Sequence, residues 1–183
     1  MTCGIFKMTV KVYVGSTEVA STTEIFCRIK APNEPQLMSG MNLHIPNDNS
    51  VAEKLVNMAA KTGMSIWRIS IPWTSVEKTK HQYEIPTLAL NAIDHAINLG
   101  VTPLIILAYG NDLYGETDPH NDTWRTAYAN YCNYVVSALA SKQVKYFEVW
   151  NEWNANMGKV PNIGHRDGAS YAKVLCDAYT AIK

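Results

Sequence analysis

The chain has 183 residues, with 16 Lys+Arg against 16 Asp+Glu, and 47% of its residues are hydrophobic. The balanced charge offers no cationic surplus for nucleic acid or an acidic membrane surface, which argues against both as partners. No run approaches the roughly 18 continuous apolar residues that a spanning helix needs, so the composition is that of a globular chain with a core.

The first 33 residues are rich in Val, Thr, Ile and Tyr. The segments TVKVYVG and TTEIFCRIK predict two strands joined by a turn near Gly15 and Ser16, a short N-terminal β-hairpin over residues 1–33. This hairpin is either the end of a preceding β-domain or a cap on the remainder of the chain. The segment APNEP at 31–35 then breaks the pattern as a linker does. MTCGIFKMTVKVYVG lacks the apolar stretch and cleavage site of a signal peptide. Four cysteines, Cys3, Cys27, Cys132 and Cys176, form no C-x-x-C pair, which disfavours a zinc site. Cys132 and Cys176 read as buried thiols on helices, and a Cys3–Cys27 pair is left open.

From about residue 36 the rhythm changes. Strand-like runs at 37–45, 65–71, 101–109 and 144–150 alternate with helical spacing at 51–62, 86–99, 123–140 and 168–183. Four strand-helix repeats predict parallel βαβ units over residues 36–183. Gly63 and Gly100 stand where helix C-caps are expected.

Alternation along a strand sends neighbours to opposite faces. Trp67, Ile69 and Ile71 share one face and Arg68 and Ser70 the other. Phe147 and Val149 share one face, while Glu148, Trp150 and Glu152 share the other. In α/β folds the C-terminal strand ends carry the site, so His44, Arg68, Tyr109, Asn111, Asn151 and Glu152 are expected to converge there. A structural ion pair of Arg68 with Glu148 accounts for the buried charges as well as a catalytic arrangement does. The strand-end aromatics Trp73, Trp150, Trp153, Tyr109 and Tyr114 are candidate platforms for a flat ligand, or seals of the strand ends. Trp67 and Trp124 are assigned to packing. His81, His95, His120 and His165 lack ligand spacing and are assigned to the surface.

The segment FEVWNEWN at 147–154, with WRISIPW at 67–73, GMNLHI at 40–45 and LAYGNDLYG at 107–115, resembles clan A glycoside hydrolases, and most closely the neighbourhood of families 39 and 5. The resemblance implies a retaining (β/α)8 TIM barrel of which only about the first four β/α units are present. It implies an O-glycosyl hydrolase acting on a poly- or oligosaccharide, with Glu152 as acid/base, Asn151 on the sugar 2-hydroxyl and Arg68 orienting the nucleophile. His44, Tyr109, Asn111, Trp73 and Trp153 are expected to line subsites. No cofactor and no metal is implied. Members of these families are often secreted.

The nucleophile of the resembling families lies on the seventh strand, and no residue here matches it. Glu148 does not replace it. It precedes Glu152 by four residues on one strand, roughly 13 Å along it, whereas a retaining pair stands about 5–5.5 Å apart. Eight units at this spacing need nearly 300 residues, so the remaining half of the barrel is expected from further chain or from self-association through the exposed edge strands. Two other readings stand beside the enzyme: a non-catalytic carbohydrate-binding remnant, and an unrelated α/β module carrying the motif by chance.

Overall fold

The computed structural model describes residues 4–28, 39–44, 48–155 and 163–183. Contacts divide the chain into two units, Met1–Gln36 and Leu37–Lys183.

The first unit is a hairpin. Strands β1 (Gly4–Val14) and β2 (Thr17–Arg28) pair antiparallel in a register that runs from Gly4 opposite Arg28 to Val14 opposite Thr17. The turn is at Gly15, whose φ of +62° suits a residue without Cβ. A bulge between Val12 and Tyr13 shifts the register near it. Cys3 and the linker at 31–35 lie outside the described residues.

The second unit is α/β. Its elements in order are β3 (Gly40–Asn42), α1 (Asn49–Lys61), β4 (Ile66–Pro72), a one-turn α2 (Trp73–Val76), α3 (Thr87–Asn98), β5 (Thr102–Ala108), α4 (Asp122–Ala140), β6 (Tyr146–Val149) and α5 (Gly168–Ile182). The four strands form one sheet in the order β3-β4-β5-β6, and every pairing is parallel. The expected strand-helix repeat is therefore present, with α2 as an unforeseen addition. The first strand is shorter than its 37–45 run, although 37, 38 and 45–47 lie outside the described residues.

Helix ends follow local chemistry. Asp48, Asn121 and Asp167 cap α1, α4 and α5, each side chain accepting from backbone N–H groups of the first turn. At the other end of α1, Gly63 (φ +81°) donates to the Ala60 carbonyl and Met64 to that of Ala59. Gly100 (φ +75°) and Val101 repeat this on Ile97 and Ala96. Both are Schellman closures, which need the left-handed conformation that glycine adopts without strain.

The core lies between the helices and one sheet face. Trp67, Ile69 and Ile71 of β4 and Ile105 and Leu107 of β5 are buried against Ala52 and Val56 of α1, Ile93 and Ala96 of α3, and Tyr128, Tyr131, Cys132 and Val135 of α4. The alternation on β4 is as the sequence predicts. Tyr128 and Tyr131 extend their hydroxyls to the carbonyls of Leu107 and Ile71. Those bonds satisfy strand ends inside the apolar layer. Cys132 is buried as expected, but Cys176 is exposed on α5, because its position falls on the outer side of that helix.

Candidate active site

The polar face of the sheet gathers four residues. On β4, Arg68 sits between the buried Trp67 and Ile69 and so faces away from the helices. Its register partner is Leu104, and Glu148 lies two residues further on, opposite Ile106. The long arginine side chain spans that step. Its Nε donates to Glu148 Oε2 at 2.8 Å and its Nη2 to Oε1 at 2.5 Å. Nη2 also donates to Asn151 Oδ1 at 2.8 Å, and Asn151 Nδ2 donates to the Tyr109 hydroxyl at 2.9 Å. The fork of charge-assisted bonds holds Arg68 protonated above the ordinary arginine range, chiefly through Glu148, with the fields of Tyr109 and Glu152 adding.

Backbone strain at the strand ends makes this convergence possible. Tyr109, Trp150 and Glu152 all have positive φ, at +88°, +66° and +52°. Such values are uncommon for residues with side chains and cost on the order of 1–3 kcal/mol each. At Tyr109 the departure from alternation brings the ring to Asn151. At Trp150 it ends β6 and turns the indole into the helix layer, against Trp124 and Tyr128. Trp150 is 1% exposed, so the expectation that it shares a face with Glu148 and Glu152 is corrected. Glu152 itself is exposed beyond the end of β6.

Three other expected site residues are placed differently. Trp73 is fully buried in α2, stacked on Tyr114 at 5.1 Å and on Tyr131 at 5.7 Å, so neither ring face is open to a ligand. Asn111 is 4% exposed and committed inside the fold: its Nδ2 donates to the Glu77 carbonyl and its Oδ1 accepts from Leu113. Trp153 is 7% exposed, with its indole N–H on the His165 carbonyl and its ring edge-on to Trp150. All three seal the strand ends. His44 is exposed just past β3 and lines a separate recess of about 290 Å³ with Ser70, Pro72 and Leu88. It does not join the Arg68 cluster through any described bond.

The sequence reading missed the role of Glu77. Its carboxyl group is fully buried and accepts from Trp73 Nε1, the His81 N–H and the Tyr114 hydroxyl, each at 2.6 Å. Burial, then this bond, pushes the Tyr114 hydroxyl well above the usual range. The network ties the segment after β4 to the segment after β5. The i, i+4 spacing of Trp73 and Glu77 was its only visible signal. The histidines are also less simple than expected. His120 is exposed, but its ring lies 4.6 Å from that of His165, and Lys173 Nζ is 2.8 Å from its Nδ1. His95 contacts Asn57. No cluster of three or more metal-binding side chains occurs among the described residues.

No family model matches the sequence, and no curated protein matches it. Solved structures do. A family 39 glycoside hydrolase from the gut symbiont Bacteroides cellulosilyticus WH2 aligns with a TM-score of 0.75 at 22% identity, over 99% of this chain and 36% of its own. The endo-1,4-β-D-mannanase of Thermotoga petrophila RKU-1 aligns at 0.60 and 15% identity, over 80% and 52%. A family 1 β-glucosidase from Thermotoga maritima aligns at 0.58 and 15%, over 73% and 34%. The chain thus spans about a third to a half of these structures. The likeness to glycoside hydrolases read from FEVWNEWN holds at the level of fold.

Proposed function

We infer that this chain carries the acid/base side of a retaining glycosidase site on the first four units of a (β/α)8 barrel. The observation that carries the reading is the Asn151–Glu152 pair at the end of the fourth parallel strand, hydrogen-bonded through Asn151 to Arg68 of the second. Strand order equal to chain order supports a curling sheet, because right-handed crossovers in one direction put every helix on one face. A doubly wound sheet would reverse direction. The similar structures are glycosidases of that kind, which favours a carbohydrate substrate.

In this reading Glu152 protonates the leaving oxygen and then deprotonates water, while Asn151 and Tyr109 hydrogen-bond the sugar. Glu148 is not the second carboxylate, since it lies within β6, below Glu152 on the same strand, and not across a sugar from it. The nucleophile belongs to strands beyond these four. They come from further chain; a second copy adding to the edges at β3 and β6 would extend the sheet but brings the same four strands and no nucleophile. The chain alone then binds sugar without cleaving it. Calorimetric titration with cellobiose and β-1,4-mannobiose tests this. Binding that survives Glu152→Gln and is lost in Asn151→Ala is expected, and no heat with either sugar counts against the reading.

A further inference from the structure

Arg68, Asn151 and Tyr109 form a chain of bonds whose direction is set from one end. A guanidinium has donors only, so the atom of Asn151 that faces Arg68 must be the amide oxygen. The amide nitrogen is thereby turned to Tyr109, and one of its two hydrogens is given to the phenolic oxygen. The other amide hydrogen and the phenolic hydrogen are left to donate outward, and among the described residues no acceptor takes the latter. The direction depends in turn on Arg68 standing where it does. Glu148 fixes that position by engaging Nε and Nη2 in a planar fork, 2.8 and 2.5 Å, and the pair is only partly exposed.

We propose that Glu148 is a positioning residue which, through Arg68, locks the Asn151 amide in one orientation, so that Asn151 and Tyr109 present a matched pair of hydrogen-bond donors to acceptor oxygens of the ligand. This rests on the glycosidase reading only for the nature of that ligand. A donor pair favours a hydroxyl or ring oxygen acting as acceptor and disfavours a donor-only group such as an ammonium at the same point. It also assigns Tyr109 a contact to the ligand through its hydroxyl rather than through its ring face, which lies edge-on to Trp150.

The test reads the Asn151 side-chain amide directly by nuclear magnetic resonance of the full chain without ligand. The expected result is a dispersed pair of Asn151 proton signals, of which the one facing Tyr109 is in slow exchange with water. In Glu148→Gln they move toward the positions of a free asparagine and exchange about tenfold faster or more, the factor that loss of a charge-assisted bond supports. Glu148→Asp, which keeps the charge, retains part of the protection. Should Glu148→Gln fail to fold, Arg68→Lys breaks the same fork and is expected to free the Asn151 signals likewise, unmoved signals there overturning the proposal. Tyr109→Phe tests the other end, where the amide hydrogen facing residue 109 loses its protection while the Arg68 Nε–H signal stays. Asn151 signals unmoved in a folded Glu148→Gln, or fully protected in Tyr109→Phe, overturn the proposal. A mannobiose titration on the same samples separates the two ideas, because an amide response without any sugar-induced shift upholds the positioning role and removes the glycosidase reading alone.

Discussion

Replacing Trp73 with Phe distinguishes a sugar platform from a structural keystone. The indole is fully buried and lies between Tyr114 and Tyr131, with Trp124 and Tyr128 edge-on at 5.9 and 5.6 Å. Phe keeps an aromatic ring there but lacks the Nε1–H. The buried Glu77 then loses one of its three donors, which costs about 1–3 kcal/mol. The smaller ring leaves a void in the cluster that adds about 1 kcal/mol. A total near 3 kcal/mol lowers Tm by roughly 6–12 °C for a chain of this size. Thermal and urea unfolding followed by far-ultraviolet circular dichroism measures it. Adding Glu77→Gln to Trp73→Phe should cost less than the sum of the two single changes, because they share one bond. A stability loss under about 0.5 kcal/mol, or a loss of sugar binding with stability intact, refutes the structural assignment of Trp73.

Two further outcomes rest on the same geometry. Gly100→Ala introduces a Cβ that meets nothing within 4 Å, so its cost is conformational alone, about 1 kcal/mol at φ +75°, read from the urea midpoint; an unchanged midpoint contradicts the Schellman closure. Tyr114, Tyr128 and Tyr131 have hydroxyls raised above the ordinary range, chiefly by burial. A raised folded pKa favours the neutral form, so this stability is complete below about pH 10 and is lost as pH rises above it. An absorbance titration should show these three of the ten tyrosines ionising only with unfolding, and one reversible step for all ten with the dichroism intact would contradict it.

Much of the scaffold was legible because it is written in local chemistry. Gly63 and Gly100 marked helix ends by the φ they require, and the alternation of WRISI separated Arg68 from the core face. The pairing of Arg68 with Glu148 could be weighed from strand faces alone. What escaped was set by exceptions to alternation. Positive φ at Trp150 turns its ring out of the site, and no residue type at that position announces the change. Trp73 and Asn111 looked like ligand contacts because they stand just past strands. Their burial arises from Glu77, a partner whose role depends on two loops meeting in space.

In the proposed function the ends of β4, β5 and β6 form one side of a sugar site. The most direct measurement is a residue-resolved resonance map of the full chain titrated with β-1,4-mannobiose. Shifts are predicted to concentrate at Tyr109, Asn151 and Glu152, with Trp73 and Asn111 responding weakly as buried neighbours. Shifts confined to the recess near Gly100 and Lys142, at the opposite ends of the strands, or none at all, would contradict it.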